Sequence, residues 1–507
     1  MSTTRRVFAI SFLGCWAIGA FWAAASAPFS GPDETAQVNR AYAAGGGDLV
    51  GEDAGFRPGI VGEVTRVKVP RSLGDLGGAI GCFAFHPEVP AGCATAVRPG
   101  TGSKYYETTS GRTPPLYHLL VSPPLRAWPN LLGLYLARVL GAGLAAGLLA
   151  GAVTVTWTRR RRGMLVGTFV ACTPMVWFLD GVVNPSSLEI AGAIAAWVGG
   201  ACVLDDWHRG RSAGTGALVV LAAGGASTAL ARSLGPLWLG LIGLTLLAMA
   251  LADGTAKRVL AEWRVQAAAA VIVVATVANV TWVLASGALS GSEGLTLRAH
   301  EAIALSLGRQ MTMWQSAIGN FGYLDTRLPD GVAVTWVGLG LLLFLLAFSA
   351  SRGRDRLVLL GLLGVTLVVP VAVEANQLDQ LGPVWQGRYT LPLLVGIPVL
   401  AGWMIDRREH LVPTAMTLHR SVVVLATVAH AAAYWFAIRR YAVGTGGKVW
   451  FFRDDTWLTW KLAPITFGGL VVIAAVGWFA QRAVVTVGTP VTVEPTATSS
   501  WAASRPD

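Results

Sequence analysis

Charge is what this sequence has least of. Asp, Glu, Lys and Arg make up 13% of its 507 residues, about half the share in an ordinary soluble domain. That scarcity excludes a free-standing globular enzyme. Cysteine is also sparse, with five in all, and no spacing among them suits a zinc or haem site. Cys15, Cys172 and Cys202 fall inside apolar runs and read as small core residues. His86, His118 and His300 are scattered without ligand spacing. The chain has no phosphate-binding glycine loop with lysine, no dinucleotide fingerprint and no Ser-His-Asp set. Gly45-Gly46-Gly47 lies in a polar loop and reads as flexibility. No internal repeat occurs at a fixed spacing, which weighs against inverted-repeat transporters.

Apolar runs fill the space these absences leave. Hydrophobic residues make up 53% of the chain, and many runs reach the roughly 20 residues that cross a bilayer. The expected fold is an all-α polytopic membrane protein of twelve spans. The first covers Val7 to Ala27, and eleven follow near 129–157, 164–180, 187–204, 213–231, 235–252, 266–286, 332–350, 357–373, 389–405, 419–437 and 463–481. Ala23 to Pro28 looks like a signal-peptidase site, but the length of the run and the spans behind it favour a retained helix over cleavage. The formal net charge of +11 does not point to nucleic acid. Its basic residues gather in short connections: Arg159 to Arg162, Arg209 and Arg211, Lys257, Arg258 and Arg264, Arg352, Arg354 and Arg356, Arg407 and Arg408. They recur on every second connection and read as cytoplasmic loops facing anionic lipid headgroups. Those inner loops read as short and merely basic, and both termini face the cytoplasm.

The expected organisation is a first helix at 1–27, an extracytoplasmic loop subdomain at 28–128 and a helical bundle at 129–482. A disordered cytoplasmic tail follows at 483–507. In 28–128 acidic and basic residues balance, and the segment is too long for a tight connection. Glu63 to Val69 alternates with period two and predicts a strand. Cys82 and Cys93 lie together in this segment, where an outer location predicts a disulfide. Further outer loops are expected at 287–331, 374–388 and 438–462. Polarity of a functional kind therefore concentrates on the outer face.

Five places stand out. Asp33 and Glu34 follow the first span behind a Gly-Pro turn. Such a pair can hold a divalent cation, Mg or Mn, or act as a general base; it can equally cap a short helix. Arg138 lies well inside an apolar run, which marks either a functional residue or one snorkelling to the headgroups. Asn184-Pro185-Ser186-Ser187 makes a good helix start and also points amide donors at the outer cavity. Arg388, flanked by Trp385, Gln386, Gly387 and Tyr389, suits bidentate phosphate recognition, with an interfacial anchor as its rival reading. Arg232 has the same choice, and the anchor fits it better.

Four stretches together resemble a known family. Pro32-Asp33-Glu34, with Asn39-Arg40-Ala41-Tyr42 and Gly45-Gly46-Gly47 behind it, resembles the opening of the bacterial membrane-protein family called domain of unknown function 2142. Leu134 to Leu140 resembles that family's arginine-bearing second span, Asn184 to Leu188 its Asn-Pro-Asp-like turn, and Gln386 to Leu393 its Gly-Arg-Tyr element. Gln37 stands where the family often has histidine, and Ser186 where it often has aspartate. The family looks like a branch of the GT-C glycosyltransferase superfold. The resemblance implies a sugar taken from a polyprenyl-phosphate carrier and passed to a glycan or lipid acceptor at the outer face of the bacterial cytoplasmic membrane. Asp33 or Glu34 would be base or metal ligand, and Arg388 would meet the carrier phosphate, with Arg138 or Arg232; Tyr389, Asn184 and Gln37 complete the expected binding set. The rival expectations are a lipid-linked oligosaccharide flippase and a non-catalytic envelope assembly protein.

Overall fold

The computed structural model describes residues 3–55, 64–288, 298–351, 353–383, 385–408, 412–452, 457 and 462–488. A first helix, α1 (Thr3–Ala25), leads into a small mixed domain. That domain holds α2 (Glu34–Ala44), β1 (Glu52–Gly55), β2 (Val64–Pro70), α3 (Arg71–Gly78), β3 (Ser103–Thr108) and α4 (Leu116–Ala127). The bundle follows with α5 (Leu131–Thr158), α6 (Arg162–Ala171), α7 (Pro174–Asp180), α8 (Pro185–His208), α9 (Thr215–Ala231), α10 (Gly235–Ala252), α11 (Ala256–Ala261) and α12 (Trp263–Ser286). Two short helices, α13 (Ala299–Gly308) and α14 (Gln310–Gly319), precede a two-strand hairpin of β4 (Asn320–Phe321) and β5 (Thr326–Arg327). The chain ends with α15 (Asp330–Ala350), α16 (Arg354–Leu381), α17 (Gly387–Leu394), α18 (Gly396–Asp406), α19 (Val412–Val443) and α20 (Leu462–Gly488).

Among the described residues, 10 spans are long and apolar enough to cross a membrane, α17 with α18 counting as one. An eleventh is the pair α6 and α7, bent by 65°, where Pro174 opens the second helix under a Thr173 cap. The remaining expected span is α9, whose 17 residues rise about 26 Å. Its ends are tied to neighbouring helices: Arg264 of α12 reaches Thr215 at one end, and Arg232 reaches Ser186 at the other. All twelve expected positions are therefore helical. The hub is α8, whose apolar window is buried on every side, as suits a helix that is hydrophobic all round.

The 28–128 segment folds as expected of a small α+β unit. The predicted strand is β2, the centre of an antiparallel sheet ordered β1-β2-β3, and its alternation puts Val67 and Val69 inward. With Phe29, Val38, Tyr117 and Val121 they form a second core that continues into Leu134 of α5 and Leu188 of α8. The domain is thus fused to one end of the bundle. Cys82 and Cys93 are disulfide-bonded. The first helix is equally integral, since the carbonyls of Ala23, Ser26 and Ala27, inside the cleavage-like stretch, are all held by Arg138.

Four expectations need correction. The 374–388 loop is shorter, because α16 continues through Leu381. The 287–331 loop carries α13, α14 and the hairpin, with residues 289–297 outside the described part. Residues 483–488 extend α20 rather than opening a disordered tail, and 489–507 lie outside the described residues. The expectation of merely basic connections at the opposite end also fails. There Arg159 meets Asp206 at 2.5 Å, Arg407 meets Asp253 at 2.5 Å, and Arg161 pairs with Asp205. Asp406 accepts from the Gly163 and Met164 amides at 2.7 and 2.8 Å, closing the start of α6. That end is stitched by ion pairs.

Candidate functional site

Asp33 and Glu34, adjacent in sequence, have opposite surroundings. Glu34 is fully buried, and its carboxylate accepts four hydrogen bonds. Oε1 takes Arg138 Nε at 2.7 Å and the Val183 amide at 2.8 Å; Oε2 takes Arg138 Nη2 at 2.6 Å and the Gly31 amide at 3.1 Å. Arg138 is just as saturated. Its remaining donors go to the carbonyls of Ala23, Ser26 and Ala27 at 2.8 to 3.1 Å, so all five N–H groups are spent. Glu34 therefore has no lone pair, and Arg138 no donor, directed at a ligand. The two expected site residues form a sealed joint between α1, α2, α5 and the turn before α8. Arg138 does not snorkel; its charge is neutralised where it lies.

Asp33 occupies the position that would cap α2, yet its side chain makes no capping bond. Its backbone is left-handed, with φ 60° and ψ 10°, a conformation Asp tolerates better than most residues. The carboxylate, 47% exposed, instead turns to Arg388 on α17, with Nη2 to Oδ2 at 2.5 Å. Arg388 is only 1% exposed. It also donates to the Pro32 carbonyl at 3.3 Å and to the Tyr389 hydroxyl at 3.2 Å, while its Nε has no partner among the described residues.

Tyr389 collects a second cation. The guanidinium of Arg232, at the end of α9, lies 4.3 Å from the centre of its ring, and that of Arg388 lies 5.1 Å away. Arg232 donates to Ser186 Oγ at 2.6 Å and stands 4.0 Å from Glu189. Trp385 and Trp238 stack edge to face behind Tyr389 and complete an aromatic wall. Gly387 lets this turn approach α14, since a Cβ there would meet the Met313 carbonyl at 2.1 Å. Asp33, Arg232, Arg388, Tyr389, Ser186 and Glu189 thus meet at the loop-domain end of the bundle.

Two expected binding residues lie elsewhere. Asn184 caps α8 through the Ser186 amide at 2.9 Å and donates to the Pro32 carbonyl at 2.9 Å. It fixes the turn that carries Asp33 and acts as the cap its sequence predicted. Gln37 is buried and hydrogen-bonded to His118 at 2.6 Å. Burial, and Arg40 to a lesser degree, push that imidazole down to about 3.

Sequence reasoning missed Glu189, Trp238 and the role of Ser186. A signal existed for two of them. Ser186 and Glu189 are three residues apart on one helix, hence on one face, just behind a turn already marked as polar. A divalent cation fits this set poorly. No three metal-ligating side chains cluster among the described residues, and with Glu34 saturated, Asp33 is the carboxylate left open at the mouth of the site.

A family model described as a predicted membrane protein (DUF2142) matches residues 16–397. No curated protein matches the chain. Among solved structures, ArnT from Cupriavidus metallidurans bound to undecaprenyl phosphate is similar over 95% of this chain and 76% of its own, at 15% identity and a TM-score of 0.43.

Proposed function

The chain belongs to the DUF2142 membrane-protein family, and from the chemistry of its site we propose that it transfers a sugar from a polyprenyl-phosphate carrier to a cell-envelope acceptor at the outer face of the bacterial cytoplasmic membrane. The observation that carries this reading is one carboxylate, Asp33, placed half-exposed against Arg388, whose guanidinium shares the Tyr389 ring with that of Arg232. Such a set supplies both halves of glycosyl transfer. Asp33 takes the proton of the acceptor hydroxyl as its oxygen attacks the anomeric carbon. The bond from that carbon to the phosphate oxygen breaks, and the carrier phosphate leaves with the electron pair. Arg388 and Arg232 stabilise the charge that grows on it. The apolar bundle holds the polyprenyl tail among membrane lipids. The fold on this reading is of the GT-C kind. No step is routed through a metal, because the donor set does not favour one.

Glycolipid and polysaccharide profiling of Asp33→Ala at matched expression tests the assignment. Loss of one envelope glycan is expected; an unchanged profile sinks it. A transport reading draws on one other observation: Asp180 is buried at the end of α7 and its Oδ1 has no partner among the described residues. Flux of a lipid-linked glycan in reconstituted vesicles, without covalent transfer, would favour that reading.

A further inference from the structure

Resting on the phosphate-carrier reading for its ligand class, we propose that Asp33 is a built-in stand-in for the ligand's phosphate. Carboxylate and phosphate exclude one another at Arg388, and arrival of the phosphate is what frees the base.

The argument starts from Arg388. A guanidinium 1% exposed needs a counter-anion at all times, because an unpaired buried charge is strongly unfavourable. Its other contacts, the Pro32 carbonyl and the Tyr389 hydroxyl, are polar and carry no full negative charge. Asp33 supplies the charge. Yet the pairing uses little of what Arg388 offers: one short bond goes to Asp33, and Nε has no hydrogen-bond partner among the described residues. A tetrahedral phosphate, which accepts from two edges of the fork at once, matches that unused capacity better than a single carboxylate oxygen.

Asp33 is also built to leave. Its carboxylate is half-exposed and makes no capping bond to the helix it precedes, and its backbone is left-handed. Glu34, one residue on, is tied by four bonds and stays as a pivot. Arg232 borders the same space. It is 26% exposed, and its carboxylate partner Glu189 is 4.0 Å away, so it has room for a second phosphate oxygen.

Charge closes the cycle. A carrier phosphodiester brings one negative charge and displaces Asp33, which is then unpaired and basic. Transfer converts the diester to a monoester with two negative charges, while the acceptor proton neutralises Asp33. The net charge of the cluster is the same before and after the step. Departure of the phosphate and of the proton lets Asp33 return to Arg388.

The experiment titrates full-length protein in neutral-lipid nanodiscs with inorganic phosphate, and in a second arm incorporates undecaprenyl phosphate into the same nanodiscs. Wild type, Asp33→Asn and Asp33→Glu are compared, with thermal midpoints as a fold check. Removing the competing charge should tighten phosphate binding by about tenfold or more in Asp33→Asn, while Asp33→Glu stays near wild type. A gain only in the lipid arm assigns the site to a membrane-borne phosphate, and a gain only in the free arm to a soluble one. Unchanged or weaker binding by Asp33→Asn in both arms overturns the proposal. The two readings fail separately. If phosphate binding tightens but envelope glycans are unaffected, the exchange stands and the transferase falls; if glycans are lost without any gain in binding, the reverse holds.

Discussion

Two carboxylates one residue apart each take an arginine from a distant helix, and they have become opposite devices. Around Glu34 everything is closed: both partners are fully buried and every donor and acceptor is matched. Around Asp33 the arginine is buried but the carboxylate is half in solvent, and the guanidinium has a free edge. A saturated buried pair fixes geometry and leaves nothing for a ligand. An unsaturated pair with one exposed member can exchange its partner. The difference comes from the backbone between them, where the left-handed turn at Asp33 sends its side chain to α17 and the next one into the α1–α5 seam.

This contrast can be broken most forcefully at the sealed pair. Glu34→Ala leaves Arg138 as an uncompensated buried charge, so a loss of about 3–5 kcal/mol is expected. It should be read as a lower thermal midpoint in detergent and poor recovery of folded protein. Asp33→Ala should lose only about 1–2 kcal/mol, because the Asp33 carboxylate is already half in solvent and its removal opens that edge of Arg388 to water. Equal losses would erase the distinction. Activity should invert the order. In an assay that follows sugar transfer from lipid carrier, Asp33→Asn is expected to lower the rate by about 10²–10⁴ with its fold intact. Tyr389→Leu should weaken binding of the lipid phosphate several-fold, since cation–ring contacts are worth about 0.5–2 kcal/mol; no change in the titration would remove the ring from the site. A separate test concerns His118, outside both pairs. Its proton affinity in the fold, pushed down to about 3 from 6.5, means that the unfolded chain binds a proton first. Stability is complete above about pH 6.5 and declines as pH falls toward 3. A midpoint that rises on acidification would contradict this, and His118→Asn should flatten the slope.

The spans were legible because each is written as a local apolar run, and even the short α9 keeps its place. Arg138 was legible as a residue that needs a partner, since a buried guanidinium is never neutral in isolation. Which partner it takes was not. The choice between Asp33 and Glu34 depends on one backbone angle that no periodicity encodes. Arg388 was marked by its aromatic neighbours, but its contact with Asp33 spans 355 residues, and nothing local announces it. Gln37 was placed at the site because it stands where the family often has histidine; one helical turn carries it instead to His118. The arginine end misled for a different reason. Its basic residues sit in short connections, whereas Asp205, Asp206, Asp253 and Asp406 that meet them lie at or just past helix termini on other elements.

Arg440, near the end of α19, gathers the carbonyls of Phe83, His86 and Val89 and reaches Asp325. The first three contacts join positions 351 to 357 residues apart. At synthesis rates of about 5–20 residues per second, the disulfide-closed loop between Cys82 and Cys93 is finished on the order of tens of seconds before the side chain that clasps it exists. Completion of the polar domain is therefore timed by the arrival of a late helix, and a ribosome stalled before residue 440 leaves that domain assembled around an open clasp.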